Sequence, residues 1–444
     1  MFGFSEEDII DLEIEIHNSV EKYLEIHGIN QCQPEFYKSM VDEITQEYLD
    51  DFICNGFTGD APYDILFRKF RKRVHIFVKN YFTIIGIPRR AYCNPRPNNY
   101  EIVNKDFVKR QIDLLQSLHQ PAQRTQEWYK FRHNLITASN IWKTIGSEAN
   151  KNSLIFEKCK PIIVGEESAD TFVNTESPMH WGVKYEPLTV MLYEMRNRAK
   201  VGEFGCIQHN TYPFIGASPD GIVVNEDSPA FGRMLEIKNV VSREITGIPK
   251  MDYWVQMQLQ LEVCNLNECD FIETQFKEYD EMDEDLFYKN KHQYLYNGVI
   301  LYFVNRDFTN GKPHYVYMPL DIKLTKKDIN AWIDSQKLAL KTTHVLFKRI
   351  YWYCEVYSCV LVKRNRPWFE MVVPKIRELW TTIEKERVTG FEHRKPKKRG
   401  GLLLKKCLIS ESMREEVQNA EEIIHIRFSF GRLFHNLDLH LSIV

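Results

Sequence analysis

The chain has 444 residues, of which 43% are hydrophobic and 27% are charged, and its net charge is −3. This length and composition predict one large or two medium soluble domains with a substantial core. No uninterrupted apolar run is long enough to span a bilayer, and residues 1–8 lack the basic head of a signal peptide, so we expect an intracellular protein with no membrane partner.

The charge is distributed unevenly along the chain. Residues 1–60 contain 15 Asp and Glu against 2 Lys and Arg, whereas residues 341–406 contain 17 Lys and Arg against 6 Asp and Glu. A basic region is typical of phosphate-binding proteins, although a solvated helix surface balanced by the acidic head explains the charges equally well.

The first part of the chain is predicted to be helical and to carry no chemistry of its own. Apolar residues recur at helical spacing over residues 5–27, and a second helix is predicted over 35–52. After a break rich in Gly, Pro and Asp, residues 64–78 favour a helix with a basic exposed side. Residues 86–99 are typical of a linker, and we place a domain boundary near residue 115.

The segment 124–141 contains the first candidate site residues. Trp128 and Phe131 fall at helical spacing and are predicted to face a core, which leaves Arg132 on another face. The next residues are typical of a helix start, with Ser139 as the N-cap. An arginine beside a helix N-terminus can form a phosphate pocket, although simple capping explains the same residues.

The segment 179–194 predicts a helix with Leu188 and Leu192 on its apolar face. Glu186 lies within this helix. A single glutamate there ordinarily faces solvent, but Glu186 can supply a third acid to a site formed by later residues. His180 has no partner histidine at ligand spacing and is predicted to be structural.

Residues 215–224 and 233–241 predict two strands of one hairpin, which would bring Asp220 close to Glu236 and Lys238. Side chains alternate along a strand, so Glu236 and Lys238 point to one side, about 7 Å apart. Charges on an apolar strand are costly unless they pair or bind a metal, and carboxylates suit Mg²⁺. Lys238 could orient a water molecule and, with a depressed pKa, help to deprotonate it. A surface turn with a Glu-Lys pair is the alternative.

Five motifs make the pattern more specific, and they occur in one order. They are W-x-x-x-R-x-x-x-(I/L)-T-A-S at 128–139, G-x-x-x-E-P at 182–187, G-A-S-P-D-G at 216–221, L-E-I-K at 235–238 and Y-W-V-Q-M-Q-L-Q at 253–260. Over about residues 120–280 the chain therefore resembles the YqaJ-type viral recombinases. These are the lambda-exonuclease-like branch of the PD-(D/E)xK nuclease superfamily.

The resemblance implies a metal centre. Glu186, Asp220 and Glu236 would hold divalent ions, with the backbone carbonyl of Ile237 as a further ligand. The ions would be two Mg²⁺, which Mn²⁺ can replace, and Lys238 would activate or position the water. Some members of the superfamily add a four-cysteine iron–sulfur cluster, but the cysteine spacing here does not match that pattern, so we predict none.

The resemblance also implies a DNA-binding site. Arg132 and Ser139 match positions that engage the 5′-terminal phosphate, and Ser218 would help to hold DNA near the metals. Gln256 and Gln258 are candidate catalytic residues between which spacing does not choose. Alternatively, Gln256 and Gln260 simply form a polar stripe, since they lie one helical turn apart.

Beyond the motifs, residues 344–363 could form a strand pair or a buried helix, and periodicity does not decide between them. Residues 393–401 form a basic cluster that could grip DNA, act as a nuclear import signal over 393–399, or only aid solubility. Strands are predicted over 269–276, 298–304 and 314–319, and helices over 325–342 and 368–387.

Together these features predict an α/β (α+β) protein with a PD-(D/E)xK restriction-endonuclease-like core, in which helices flank a mixed central sheet. The predicted parts are a helical accessory region (1–115), the nuclease core (116–345) and a basic, partly mobile C-terminal extension (346–444).

The implied function is Mg²⁺-dependent digestion of double-stranded DNA from 5′ ends, in recombination or replication. It would leave 3′ single strands for an annealing partner protein. Relatives act as ring-shaped trimers. The alternatives are an endonuclease or junction resolvase with the same metal centre, and a non-catalytic DNA-binding scaffold. A viral protein of this kind would act in the host cytoplasm or nucleus.

Overall fold

The computed structural model describes residues 5–56, 62–93, 104–122, 125–162, 175, 177–280, 284–306 and 313–395. The chain divides into one unit of residues 1–391 and a second of residues 392–444. The described part of the second unit contains the short 3-10 helix Glu392–Arg394. Most of the predicted basic cluster and nuclear signal, and the last 40 residues of the chain, lie outside the described residues.

Three helices form the N-terminal region, as the sequence predicts. They are α1 (Glu6–His27), α2 (Phe36–Cys54) and α3 (Tyr63–Ile84). Ser5 begins α1 with a capping box, and the apolar faces of the three helices share one hydrophobic cluster. The helical period of the apolar residues therefore predicted this region correctly.

The rest of the first unit contains both helices and strands. The helices are α4 (Lys105–Ser117), α5 (Gln126–His133), α6 (Glu148–Cys159), α7 (Pro178–Asn197), α8 (Met251–Cys264), α9 (Glu284–Asn290), α10 (Lys326–Leu340) and α11 (Arg366–Thr389). The strands are β1 (Tyr92–Cys93), β2 (Ile136–Thr137), β3 (Val201–Gly202), β4 (Ile207–Gln208), β5 (Ile215–Ala217), β6 (Gly221–Val223), β7 (Met234–Asn239), β8 (Glu268–Glu278), β9 (Asn297–Asn305), β10 (His314–Tyr317) and β11 (His344–Lys363). None of the helices in the described ranges has the length and apolar character that crossing a membrane would need.

The main sheet is mixed and has the strand order β10-β9-β11-β8-β7-β6-β3, with β1 paired to β11. Only the β7–β8 pair is parallel, and the other neighbouring strands of this sheet are antiparallel. A smaller sheet has the order β2-β5-β4. The predicted α/β fold, with helices flanking a mixed central sheet behind a helical N-terminal region, is confirmed.

Residues 344–363 form a strand, β11, and not a buried helix, but it is one long strand and not the strand pair that the first alternative described. The first half of β11 pairs with β9 and the second half with β8. Apolar, aromatic and charged residues are interspersed along β11 and its burial follows no regular alternation over its whole length, so its sequence lacks a clear period. Helix α11 packs into the main hydrophobic cluster, so residues 346–389 of the predicted extension are part of the same sheet and core as the motifs.

Helices α7 and α8 pack against opposite faces of β7, because successive side chains of a strand alternate between faces. Leu235 and Ile237 share a cluster with Tyr193 of α7, whereas Met234 shares one with Trp254 of α8. The sheet therefore presents Glu236 and Lys238 on the face that α8 covers.

Candidate active site

Asp220 lies where β6 and β7 separate. The two strands pair only through Gly221 with Leu235 and Ile222 with Met234. Beyond this point the backbone N–H of Ile237 donates to Oδ2 of Asp220 at 2.7 Å, so a side chain takes the place of a strand partner. The carboxylate of Asp220 is thereby fixed beside residues 236–238.

Glu236 is fully buried and both of its carboxylate oxygens have partners. Oε1 forms an ion pair with Nζ of Lys238. Oε2 accepts hydrogen bonds from Nε2 of Gln256 at 2.9 Å and from Nε2 of Gln260 at 2.7 Å. Because a buried charge is costly unless it is paired and hydrogen-bonded, these partners offset the cost of burying the carboxyl group of Glu236.

The charges of the cluster act on one another. Burial, followed by the negative charge of Glu236, raises the pKa of Asp220 well above its ordinary value. Burial alone would lower the pKa of Lys238, but the carboxylates of Glu236 and Asp220 outweigh it and raise that pKa. Lys238 is therefore a protonated cation, 5.0 Å from the ring centre of Tyr253, and the depressed pKa considered from the sequence is not found.

Glu186 lies on α7 and is exposed, and its charge contributes to raising the pKa of Asp220. Among the described residues, no three His, Cys, Asp or Glu side chains are grouped closely enough to hold one metal ion. The structure thus joins Asp220 and Glu236 but does not bring Glu186 into a three-acid group.

The donors that are joined fit a hard divalent ion. They are carboxylate oxygens, the type of ligand that Mg²⁺ takes while it keeps several waters. Burial, followed by the charge of Glu236, raises the pKa of Asp220, and a bound cation would favour its ionised form. The complete set of Glu186, Asp220, Glu236 and the Ile237 carbonyl stays a prediction.

Two of the three predicted phosphate-binding residues are in contact. Nη1 of Arg132 lies 3.5 Å from Oγ of Ser218, and its guanidinium lies 4.5 Å from the ring centre of Trp128. The backbone carbonyl of Ser218 accepts a hydrogen bond from Gln260 at 3.2 Å. Since Gln260 also binds Glu236, these contacts connect Arg132 with the acidic cluster.

Two cations that no sequence pattern predicted, the buried Lys158 and the half-buried Arg387, hold the end of the helix that carries Arg132. Nζ of Lys158 donates to the carbonyl of Arg132 at 2.9 Å, and Nη2 of Arg387 donates to that of His133 at 2.9 Å. Cations favour a helix C-terminus, where carbonyl groups lack partners within the helix. Burial lowers the pKa of Lys158 to about 8. No spacing in the sequence indicates these contacts, because α6 and α11 supply them from distant positions.

Ser139 does not cap a helix, so this part of the prediction was wrong. It is exposed, and its Oγ lies 3.2 Å from Oγ1 of Thr137. The 3-10 helix that follows, Ile141–Thr144, starts after Asn140 without a side-chain cap, and α6 is capped by Ser147. The chain instead passes through β2, whose parallel pairing with β5 fixes the backbone before Ser139.

The structure separates the two candidate glutamines. Gln256 faces Glu236, whereas Gln258 is buried on another side of α8. There Nε2 of Gln258 donates to the carbonyl of Lys363 at 3.0 Å, and its Oε1 accepts from the N–H of Asn365 at 2.6 Å. Gln260, considered only as part of a polar stripe, binds Glu236 together with Gln256, and their spacing of four residues is the signal that could have identified it.

We therefore expect Gln258→Ala to act on stability. The change removes the hydrogen bonds that the buried side chain of Gln258 makes with the carbonyl of Lys363 and the N–H of Asn365, which costs about 2 kcal/mol of the free energy of unfolding. Urea titration followed by circular dichroism measures this loss, with Gln275→Ala at a strand position as the matched control. A Gln258→Ala protein with unchanged stability would contradict the assignment.

Asn239 is a further residue at the site that no sequence pattern predicted. Its Nδ2 donates to the carbonyl of Gly182 on α7 at 3.1 Å, while its Oδ1 accepts from Thr189 and Thr274, each at 2.7 Å. These bonds fix the start of α7, which carries Glu186, against the end of β7.

The fold and the site thus define an α/β protein in which Asp220, Glu236 and Lys238 lie together on a mixed sheet. Gln260 and Ser218 connect this cluster with Arg132. Comparison with known families agrees with this class. Residues 127–267 are similar to the family described as the YqaJ-like viral recombinase domain.

Sequence comparison also identifies an individual relative. The chain is 29% identical over 313 residues to the uncharacterized protein R354 of Acanthamoeba polyphaga mimivirus, a match that covers 62% of this chain and 55% of that protein. The chain thus spans about half the length of this curated relative.

Two solved structures show limited similarity. One is the alkaline exonuclease LHK-Exo of Laribacter hongkongensis, with 19% identity, a TM-score of 0.35, and coverage of 59% of this chain and 94% of that one. The other is a phage-related exonuclease of Haemophilus somnus 129PT, with 13% identity, a TM-score of 0.28, and coverage of 57% and 93%.

Proposed function

We propose that this protein is a metal-dependent deoxyribonuclease that digests double-stranded DNA from 5′ ends and leaves 3′ single strands for recombination. The observation that carries the proposal is the cluster of Asp220, Glu236 and Lys238 at the point where β6 and β7 separate. The YqaJ-like viral recombinase domain spans all three residues and supports the same reading.

Each residue has a distinct task in this proposal. Asp220 and Glu236 would hold the divalent ions, with Glu186 as the further ligand of the proposal, and Gln256 and Gln260 keep the carboxylate of Glu236 oriented. When bound, such ions supply Lewis acidity at the scissile phosphate. Hydrolysis of a phosphodiester spreads negative charge over the phosphate oxygens, so catalysis needs fixed positive charge more than a covalent nucleophile.

Lys238 supplies part of that positive charge from the protein. Its ammonium group lies beside Glu236 and over the ring of Tyr253, so its position is fixed before substrate arrives. A cation held in place costs no reorganisation when charge develops on the phosphate. Arg132 and Ser218 would bind the terminal phosphate, and their link to Glu236 through Gln260 would set the distance from the DNA end to the cleaved bond.

The proposal is tested with one plasmid in two forms, covalently closed and linearised. With Mg²⁺ we expect the linear form to be digested and the closed circle to survive, because end recognition requires an end. EDTA should abolish digestion, and Mn²⁺ should restore it. Agarose gels and release of acid-soluble nucleotides measure both reactions.

The other outcomes identify the alternative functions. Cleavage of the closed circle at a similar rate would favour an endonuclease or resolvase that uses the same acids. Binding of DNA without cleavage under any metal condition would overturn the enzyme and favour a scaffold. Labelling the 5′ or the 3′ end of the linear form determines the polarity, and sedimentation of the purified protein tests for a trimer.

A further inference from the structure

A cavity of about 700 Å³ lies between the N-terminal helices and the sheet. It is lined by parts of α2, α3, α8 and the chain leading to β1. Its size is in the range of small-molecule binding sites. The described lining contains no Asp or Glu, and its basic side chains are His75, Lys79, Arg89, Arg90 and Lys363.

Two side chains of this lining, Arg90 and Gln31, have buried nitrogen atoms without a hydrogen-bond partner among the described residues. Nη2 of Arg90 donates to the carbonyl of Cys32 at 2.7 Å, but its buried Nε and Nη1 have no hydrogen-bond partner among the described residues. The same holds for Nε2 of Gln31, whose side chain is 6% exposed. Buried donors without acceptors are costly, and an arginine is the usual partner of a carboxylate or phosphate. Burial lowers the pKa of Arg90 to about 10, which agrees with a guanidinium short of negative partners.

The other half of the lining is aromatic. Tyr37 and Phe82 meet edge to face with ring centres 5.7 Å apart, and the guanidinium of Arg90 lies 5.6 Å from the ring centre of Trp254. Phe36 and Tyr92 complete the set. Cations beside aromatic rings are the combination with which proteins bind a base by stacking and its phosphate by charge.

We propose that this cavity binds a nucleoside phosphate, with the phosphate on Arg90 and Gln31 and the base against the aromatic wall. The ligand is either a free mononucleotide or the terminal nucleotide of a DNA single strand, since both present the same groups.

The cavity is separate from the candidate active site. Trp254 lines the cavity and bonds to the carbonyl of Arg90, whereas Gln256 and Gln260 on another side of α8 bind Glu236. Gln258 lies between Gln256 and Gln260 in the sequence of α8. Its side chain accepts a hydrogen bond from the backbone N–H of Asn365, which also lines the cavity. A ligand in the cavity would therefore contact α8 without reaching the acids, and the inference does not depend on the proposed nuclease activity.

The test is calorimetric titration of the full chain, in EDTA, with 2′-deoxyadenosine 5′-monophosphate as the probe. We expect binding that Arg90→Gln weakens roughly tenfold or more, because it removes a charged hydrogen-bond donor to phosphate. Lys79→Ala, at an exposed lining position, should weaken binding by about threefold. Its matched control is Lys72→Ala, an exposed lysine of α3 outside the lining, which should leave binding unchanged.

Further arms identify the source of the ligand and the site. Competition by a short oligothymidylate would mean a strand end, and its failure to compete would mean a free nucleotide. Because the probe carries a 5′-phosphate, Arg132→Ala should remove only the binding at the candidate active site, and the binding that Arg90→Gln weakens should persist in that variant. Loss of all binding in Arg132→Ala would place the nucleotide at the active site and overturn the proposal. No binding at about 1 mM, or equal binding of inorganic phosphate, would also overturn it. If Arg90→Gln melts at a lower temperature than wild type, the comparison of Lys79→Ala with Lys72→Ala decides.

Discussion

Lys238→Met is expected to reduce the rate of DNA hydrolysis by about 10³-fold, the loss typical of removing a preorganised charge from a phosphoryl-transfer or acyl-transfer site. Methionine keeps the length and apolar stem of the side chain but removes the ammonium group that neighbours Glu236 and Asp220. DNA binding should survive, because Arg132 and Ser218 are unchanged. Single-turnover cleavage of a labelled duplex and a filter-binding assay measure the two properties separately.

The substitution also leaves the buried Glu236 without its ion pair, which can cost about 3–5 kcal/mol of stability. The double variant Glu236→Gln with Lys238→Met removes both charges and should recover most of that stability while remaining inactive. Lys337→Ala, which removes an exposed lysine 3.5 Å from Asp334 on α10, is the control for loss of one positive charge. Activity of Lys238→Met within tenfold of wild type would contradict a catalytic role for this lysine.

Arg132→Ala is expected to lower the kcat/KM for duplexes with 5′-phosphorylated ends by about 10²-fold, the value of a charged hydrogen bond to a terminal phosphate. Duplexes with 5′-hydroxyl ends should lose much less, so the preference of the wild type for a phosphorylated end should disappear. We expect this preference because the guanidinium of Arg132 lies within reach of Ser218, and Ser218 is connected with the acidic cluster through Gln260. The measurement is initial digestion rates on two duplexes that differ only in the end group.

Lys130→Ala is the matched control, since Lys130 is exposed on the same helix and two residues away. It should change both rates equally and slightly. Equal losses on both ends for Arg132→Ala would mean that Arg132 supports the structure of α5 or binds the DNA backbone generally. Such a result would remove the structural argument for action at a 5′ end.

The N-terminal helices and the position of Glu236 beside Lys238 could be predicted because both follow from local periods. Apolar residues at helical spacing specify α1 to α3, and alternation along β7 places the acid and the amine on one side. The order of five motifs indicated the family to which residues 127–267 are similar. The division into domains, the metal ions and the third acid, Glu186, stay predictions.

Other features depended on contacts that no local pattern encodes. A helical period tells which face of α8 is polar but not which face meets Glu236, so only the structure separates Gln256 and Gln260 from Gln258. Likewise, residues 344–363 have no clear period that distinguishes strand from helix, so only the structure shows that they form one strand, β11, with partners on both edges.

By itself, the sequence determined the residue types of the site and the local side of each element on which they lie, because backbone geometry fixes these within a few residues. The tertiary structure alone decided that Asp220 accepts from the N–H of Ile237, that Arg132 meets Ser218, and that two buried donors of Arg90 have no partner in the described part of the chain. Those contacts join residues from separate elements, and their free energy comes from burial and from pairing polar groups that only the folded chain brings together.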